Sequence, residues 1–302
     1  MRPSAPMGRV PRGIDCNGVI NRVWPTSAAD HGQQKPYVMH GWPEFRGAEL
    51  VWSWTWLDDS CDPPVDLVGQ IGAGWRIGDD CVEVVGVSAG PRMSWADLIR
   101  PVWIRPGGSR YVVTARSPVV QAVMAGVGAR RVRRYVTTVE SGRFFGRVPA
   151  VDRPVSVRGR EHGLFSVAAR FAPPEVAAQL LVAGRLVVPM LDVTVGADWR
   201  TVGTDQPHRN GGGGRGWVGD VVVGLRGVEP HLLAALAALV NVAQVVGIGT
   251  GAAYGFGCVT ARPMLASAQA VGSAPDRPSR RPVDTVESGW GASGFDVLFD
   301  DL

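Results

Sequence analysis

The sequence predicts a mixed α+β protein, and three observations carry that prediction. A run near residue 50 alternates apolar and polar side chains with the period of a strand. The stretch 216–262 reads as strand, helix and strand joined by short links. The chain, at 302 residues, is long for one domain and sufficient for two, each able to bury a core.

Taken in order, a Pro/Gly/Arg-rich start gives way to a short apolar segment at 18–24. Tryptophans crowd the next region, at Trp42, Trp52, Trp54, Trp56, Trp75, Trp95 and Trp103. Residues 49–57 alternate well enough to predict one strand with one buried face. The tryptophans read as core and sheet surface ahead of a base-stacking platform. A Pro/Gly cluster at 105–108 marks a boundary. Residues 110–116 read as a strand ending at Ser117-Pro118. Pro173-Pro174, the run 175–183 and then Gly184 carry helix start and stop signals, and 186–195 reads as a further strand.

The last part is the clearest. Residues 216–225 predict a strand. Glu229 as cap and Pro230 as first helical residue open a helix whose Leu232, Leu233, Leu236, Leu239 and Val240 face inward. A glycine loop follows, and 256–262 returns as a strand, which suggests an α/β-plait unit. From about residue 267 the composition turns to Ala, Ser, Pro and Arg and ends in an acidic-hydrophobic tip at 294–302, read as a flexible tail with a docking motif.

Composition narrows the function. The chain is 45% apolar with net charge +4, and of its 31 basic residues all but Lys35 are arginine. Between Arg100 and Arg170 fourteen arginines face only Glu140, Asp152 and Glu161, and the densest piece holds Arg130, Arg131, Arg133 and Arg134. Guanidinium forks match phosphate oxygens, so a basic excess of this length favours nucleic acid over a merely solvated charged face. Cys16, Cys61, Cys81 and Cys258 lack the paired spacing of a zinc site. The first thirteen residues lack the apolar core of a signal peptide, and 232–246 is too short to span a bilayer, so a cytoplasmic protein without a membrane partner is expected.

Two clusters could carry chemistry. The first is the loop with Gly247, Gly249, Gly251, Gly255 and Gly257, where backbone amides can approach an anion closely. It follows a helix and precedes a strand, the reverse of dinucleotide and P-loop motifs, and no Gly-Lys-Ser/Thr is present. An anion cradle and a plain tight turn both remain open. The second pairs His31 with the lone ammonium of Lys35, although a lone histidine is more often a surface or core residue than a catalyst. His40, His162, His208 and His231 have no comparable company, and no Ser/His/Asp set stands out.

These pieces, in this order, resemble the repeat-processing endoribonucleases of CRISPR systems, the sixth family of Cas proteins within the RAMP superfamily. The stretch from 215–226 to 247–257 looks like that family's C-terminal glycine loop after an apolar helix. Residues 110–118 resemble its strand ending in Ser/Thr-Pro, and His31, Lys35, Pro36 and Tyr37 resemble its N-terminal segment. Two features depart from the pattern: residues 1–17 make a poor first strand, and the tyrosine that some members use upstream of the histidine is absent, Tyr37 being the first.

The resemblance implies tandem ferredoxin-like (RRM-like) domains at 1–108 and 109–266 with the tail at 267–302. It implies a metal-independent endoribonuclease without cofactor that cuts precursor CRISPR RNA within its repeats, leaving 2′,3′-cyclic phosphate and 5′-hydroxyl ends. His31 would act as general acid or base and Lys35 would face the non-bridging oxygens. Gly247, Gly249, Thr250, Gly251, Tyr254, Gly255 and Gly257 would hold the RNA backbone, and Arg130, Arg131, Arg133 and Arg134 would grip the repeat. Partners implied are repeat RNA, the mature crRNA and other Cas effector subunits. The competing readings are a non-catalytic RAMP subunit that holds the repeat-derived handle, and a nucleotide-binding enzyme.

Overall fold

The computed structural model describes residues 1–3, 11, 19, 36–61, 63, 67–90, 92–100, 109–125, 132–136, 138–150, 163–204, 214–226 and 229–264. The segment at 18–24, apart from Val19, the boundary at 105–108 and the tail from 267 lie outside the described residues.

The N-terminal part is built from short strands: β1 (Arg2–Pro3), β2 (Tyr37–Met39), β3 (Glu44–Arg46), β4 (Glu49–Val51), β5 (Trp54–Trp56), β6 (Gly74–Ile77) and β7 (Asp80–Glu83). They form three small antiparallel sheets, β1-β7-β6, β2-β5 and β3-β4. The described residues therefore do not show the single sheet expected of a first ferredoxin-like domain. The strand predicted over 49–57 is two strands. Up to Val51 the chain pairs with β3; at Ser53 its carbonyl accepts the amide of His40 at 3.0 Å, and from there the chain pairs with β2. Alternation reports one face per strand and is blind to this change of partner.

Helix α1 (Trp95–Leu98) is a single turn closed by a capping box, with Ser94 accepting from the Asp97 amide and Asp97 accepting from the Ser94 amide. Its Trp95 indole is buried and donates to the Leu57 carbonyl at 2.8 Å.

The C-terminal part runs β8 (Arg110–Val119), β9 (Gln121–Ala125), β10 (Val132–Val136), α2 (Leu164–Phe171), α3 (Pro174–Val187), β11 (Leu191–Val195), β12 (Arg200–Thr204), β13 (Gly214–Leu225), α4 (Pro230–Val246) and β14 (Val259–Pro263). Its sheet is antiparallel in the order β11-β13-β8-β14, with β12 also on β13. Helices and antiparallel strands are thus mixed, as the succession of periodicities predicts. Glu229 and Pro230 open α4 as expected, although the Glu229 side chain makes no capping bond.

Three local expectations are corrected. β8 runs through Ser117-Pro118 to Val119, because Pro118 needs no amide bond where it stands. Residues 186–190 are not strand: α3 continues to Val187, a 3-10 turn covers Val188–Met190, and only Leu191–Val195 pairs with β13. Gly184 does not stop a helix. It lies inside α3 because a Cβ there would stand 2.5 Å from the Phe165 ring of α2, so the glycine lets two helices close on each other.

Two apolar clusters result. The larger packs the helices against the C-terminal sheet, with Leu180, Val187, Leu236, Leu239, Val221 and Trp217 at its centre, and it also takes in Val38, Leu57, Trp95 and Leu98 from the N-terminal part. The smaller gathers Tyr37, Met39, Leu50, Trp75, Ile77 and Val82. Burial of such side chains is the main favourable term in folding, about 1.5–3 kcal/mol for each large one.

Candidate RNA-binding site

The glycine loop leaves α4 at Gly247, whose amide still bonds the Ala243 carbonyl at 2.9 Å, and rejoins the sheet at β14. Between these points the loop is tied to the end of β8. The Gly257 amide donates to the Pro118 carbonyl at 2.9 Å, the Thr250 amide to Val120 at 2.8 Å and the Thr250 hydroxyl to the same Val120 carbonyl at 3.3 Å. Ile248 donates to Gly257 at 2.9 Å across the loop's own neck.

Two of the glycines are required where they stand. Gly249 has φ +88°, and any Cβ on it would run into the Val120 carbonyl oxygen. Gly255 has φ +78° and lies against the Gly41 carbonyl, where an added Cβ would also come within 2.9 Å of Trp42 Cδ1. A single 3-10 turn, Ala252–Tyr254, spans the apex. Ala252 packs on the larger cluster and Ala253 on the smaller, so the apex is wedged between both.

The amides at 247, 248, 250 and 254–257 bond acceptors within the protein. Among the described residues the amides of Gly249, Gly251 and Ala252 have no such acceptor, and these residues are only half-buried. Tyr254 beside them is 36% exposed. This is a ridge of backbone donors on a rigid base, suited to the oxygens of an anionic backbone.

A hairpin begins at the residue after Val120. β9 and β10 pair from Gln121↔Val136 upward, and Arg134 and Arg133 stand opposite Val123 and Met124. At the strand rise that places Arg133 about 10 Å from the hairpin base. Gln121 anchors the base by donating from Nε2 to the Arg143 carbonyl at 2.8 Å. Arg130 and Arg131 lie outside the described residues.

His31 and Lys35 also lie outside the described residues. Their chain enters the structure at Pro36, whose carbonyl accepts the Leu57 amide at 2.8 Å, and β2 just beyond packs beside the 252–254 turn. The loop and the start of β2 are therefore brought together.

His40 is a structural histidine. It is half-buried, its Nε2 is 2.6 Å from the Thr55 hydroxyl, and burial pushes its pKa down to about 4, so the ring is neutral at neutral pH. Cys258 is no nucleophile either: burial pushes its thiol up to about 11, with Arg116 opposing the rise and Glu44 adding to it. Among the described residues no three His, Cys, Asp or Glu side chains converge as metal ligands would. No described helix is long and apolar enough to cross a membrane.

The open face of the C-terminal sheet carries Thr114 and Asp220, joined at 2.5 Å, where an RNA-stacking sheet would place aromatics. Tyr111 and Trp217 both turn into the interior. Among the described residues the exposed aromatics are Trp42, Phe45 and Tyr254, and for Trp42 this corrects the reading that favoured core and sheet surface. The positive φ of Gly41 signals a turn before Trp42, but nothing local indicates that the turn meets the glycine loop.

No protein-family model and no curated protein matches the chain. Solved structures do. A Cas6 of Thermus thermophilus in a product complex shares 20% identity with a TM-score of 0.59, over 84% of this chain and 91% of its own. A second Cas6 in a product complex shares 17% identity with a TM-score of 0.57, over 84% of this chain and 94% of its own. The Thermus thermophilus Cas6 is matched again in another structure at 17% identity, with a TM-score of 0.51 over 83% and 90% of the two chains. The chain has the fold of these Cas6 proteins, the family its motifs resemble.

Proposed function

We propose that this chain is a metal-independent endoribonuclease that cuts precursor CRISPR RNA within its repeats. The observation that carries the reading is the glycine loop, a rigid ridge with unpaired amides at Gly249, Gly251 and Ala252, set beside the point where the segment bearing His31 and Lys35 joins β2. Neighbours of the same fold have been solved as product and substrate-mimic complexes, which supports an RNA ligand here.

In this reading the C-terminal part, 109–266, is a ferredoxin-like domain. Its sheet order, with both strand-to-strand crossovers made by helices, supports that assignment. Residues 1–108 form the second, less regular ferredoxin-like domain and 267–302 a tail.

The ribose 2′-hydroxyl attacks the adjacent phosphate, the 5′-oxygen leaves, and the products carry a 2′,3′-cyclic phosphate and a 5′-hydroxyl. His31 takes the 2′-proton or gives one to the leaving oxygen, and Lys35 faces the non-bridging oxygens as their charge grows. Gly247, Gly249, Thr250, Gly251, Tyr254, Gly255 and Gly257 hold the strand in line, and Arg130, Arg131, Arg133 and Arg134 grip the repeat. The product would stay with, or pass to, other Cas effector subunits.

The test is cleavage of the cognate repeat RNA in chelator, wild type beside His31→Ala, with a second RNA carrying one 2′-deoxy ribose at the cut. Cyclic-phosphate products that vanish with either change, while binding survives, uphold the reading. Tight binding with no cleavage by wild type replaces it with a non-catalytic subunit that holds the repeat handle.

A further inference from the structure

Trp42 has an arrangement that packing alone does not explain. Every other described tryptophan is buried or half-buried, whereas Trp42 is 38% exposed. Its ring is nonetheless fixed. It meets the buried Phe256 edge to face, with centroids 5.7 Å apart and planes at 85°, and it lies against Gly255, whose lack of a Cβ makes the approach possible. The indole is thus held by the glycine loop while part of its surface faces solvent.

Leaving a large apolar ring in water forgoes part of its burial energy, and a rigid exposed ring is the form in which a protein presents a stacking surface. The open face of the sheet supplies none. A π face stacks on a base and not on a phosphate, so a base rather than the backbone is what Trp42 would meet. The amide ridge for the backbone lies on the same loop, within one turn of Gly255.

We infer that Trp42 stacks on one nucleobase of single-stranded RNA whose backbone lies on the glycine loop. The inference rests on the proposed RNA-processing reading and adds a base subsite to it. Stacking on a π face is tolerant of base identity, so Trp42 contributes affinity and register rather than sequence choice.

The experiment measures equilibrium binding of uncleavable 2′-deoxy repeat RNA by wild type, Trp42→Ala, Trp42→Phe and Trp42→Leu, with abasic sites introduced one nucleotide at a time. Trp42→Ala should bind roughly 10-fold more weakly or worse, and Trp42→Phe should keep most of the affinity. One abasic position should weaken wild type by the same factor and Trp42→Ala no further. Trp42→Leu fills the space without a π face; if Trp42→Ala fails to fold, equal melting temperatures with tighter binding by the Phe than by the Leu variant uphold the stacking role in its place. Equal binding by wild type and Trp42→Leu, or abasic losses undiminished in the variants, overturns the stacking role alone. A wild type that binds no repeat RNA overturns the function on which it rests.

Discussion

Thr250 gives both its backbone amide, at 2.8 Å, and its hydroxyl, at 3.3 Å, to the carbonyl of Val120. One carbonyl at the end of β8 thereby fixes the glycine loop, and the next residue, Gln121, begins the arginine-bearing hairpin. The backbone donors of the loop and the strand pair that includes Arg133 and Arg134 thus share one fixed point.

Gly249→Ala should loosen that point. The added Cβ meets the Val120 carbonyl and is strained at φ +88°. We expect about 1–3 kcal/mol of destabilisation, read by thermal melting, together with weaker repeat-RNA binding. Unchanged melting would show that the loop has room the structure does not indicate.

Gly184→Ala sets two effects against each other. Helix propensity favours alanine by about 1 kcal/mol, while overpacking against the Phe165 ring costs about 1–3 kcal/mol. The 2.5 Å approach to an aromatic ring carbon decides for net destabilisation. Phe165→Leu in the same chain should restore part of the loss, which denaturant titration of wild type, the two single variants and the double variant would detect as non-additivity.

His40 makes stability depend on acid. Folding holds its pKa at about 4 against an ordinary 6.5. Between those values the unfolded chain binds the extra proton, so unfolding becomes easier as pH falls from 6.5 towards 4, and the effect is absent above 6.5. We expect a loss of about 1–3 kcal/mol across that window, the lower end being favoured because the residue is only half-buried. His40→Gln keeps a partner for the Thr55 hydroxyl without titrating and should flatten the profile in denaturant titrations run from about pH 7 to 4.

Arg133 and Arg134 should bind phosphate without reading sequence. Replacing either by alanine should lower repeat-RNA affinity and reduce the slope of log K against log salt by about 0.7–0.9 for each phosphate no longer neutralised. A slope equal to wild type in both variants would return the hairpin to the plain solvated face.

Cys258 should resist thiol reagents. In a chain with Cys16, Cys61 and Cys81 changed to serine, a thiol pushed up to about 11 is far less ionised at mildly alkaline pH than an ordinary cysteine. Its reaction with an aromatic disulfide should be at least about 100-fold slower than in the denatured chain. Comparable rates in folded and denatured protein would contradict its burial.

What is legible in the sequence is local. Pro230 opens α4, Gly247 closes it, and the apolar spacing between them needs no knowledge of the rest of the chain. Gly184 misleads because its role belongs to Phe165, nineteen positions earlier in the chain. The run 49–57 misleads because Val51 and Ser53 pair with different neighbours. At the site, the glycines announce themselves, since few other residues accept positive φ. Trp42 does not, because its significance comes from Gly255, more than two hundred positions away. The capping box of Ser94 with Asp97 has a signal in its spacing, one that the tryptophan-rich surroundings make easy to overlook.

The wedged apex has a consequence for how this sequence can drift. Ala252 and Ala253 touch different cores while Gly249 and Gly255 touch different carbonyls, so the segment is gauged at four points. A lineage can exchange Thr250 or Tyr254 and keep its shape. Insertion or deletion of a single residue between Gly247 and Gly257 would misalign at least two of those points at once. Among distant descendants, the length of this segment should therefore outlast its spelling.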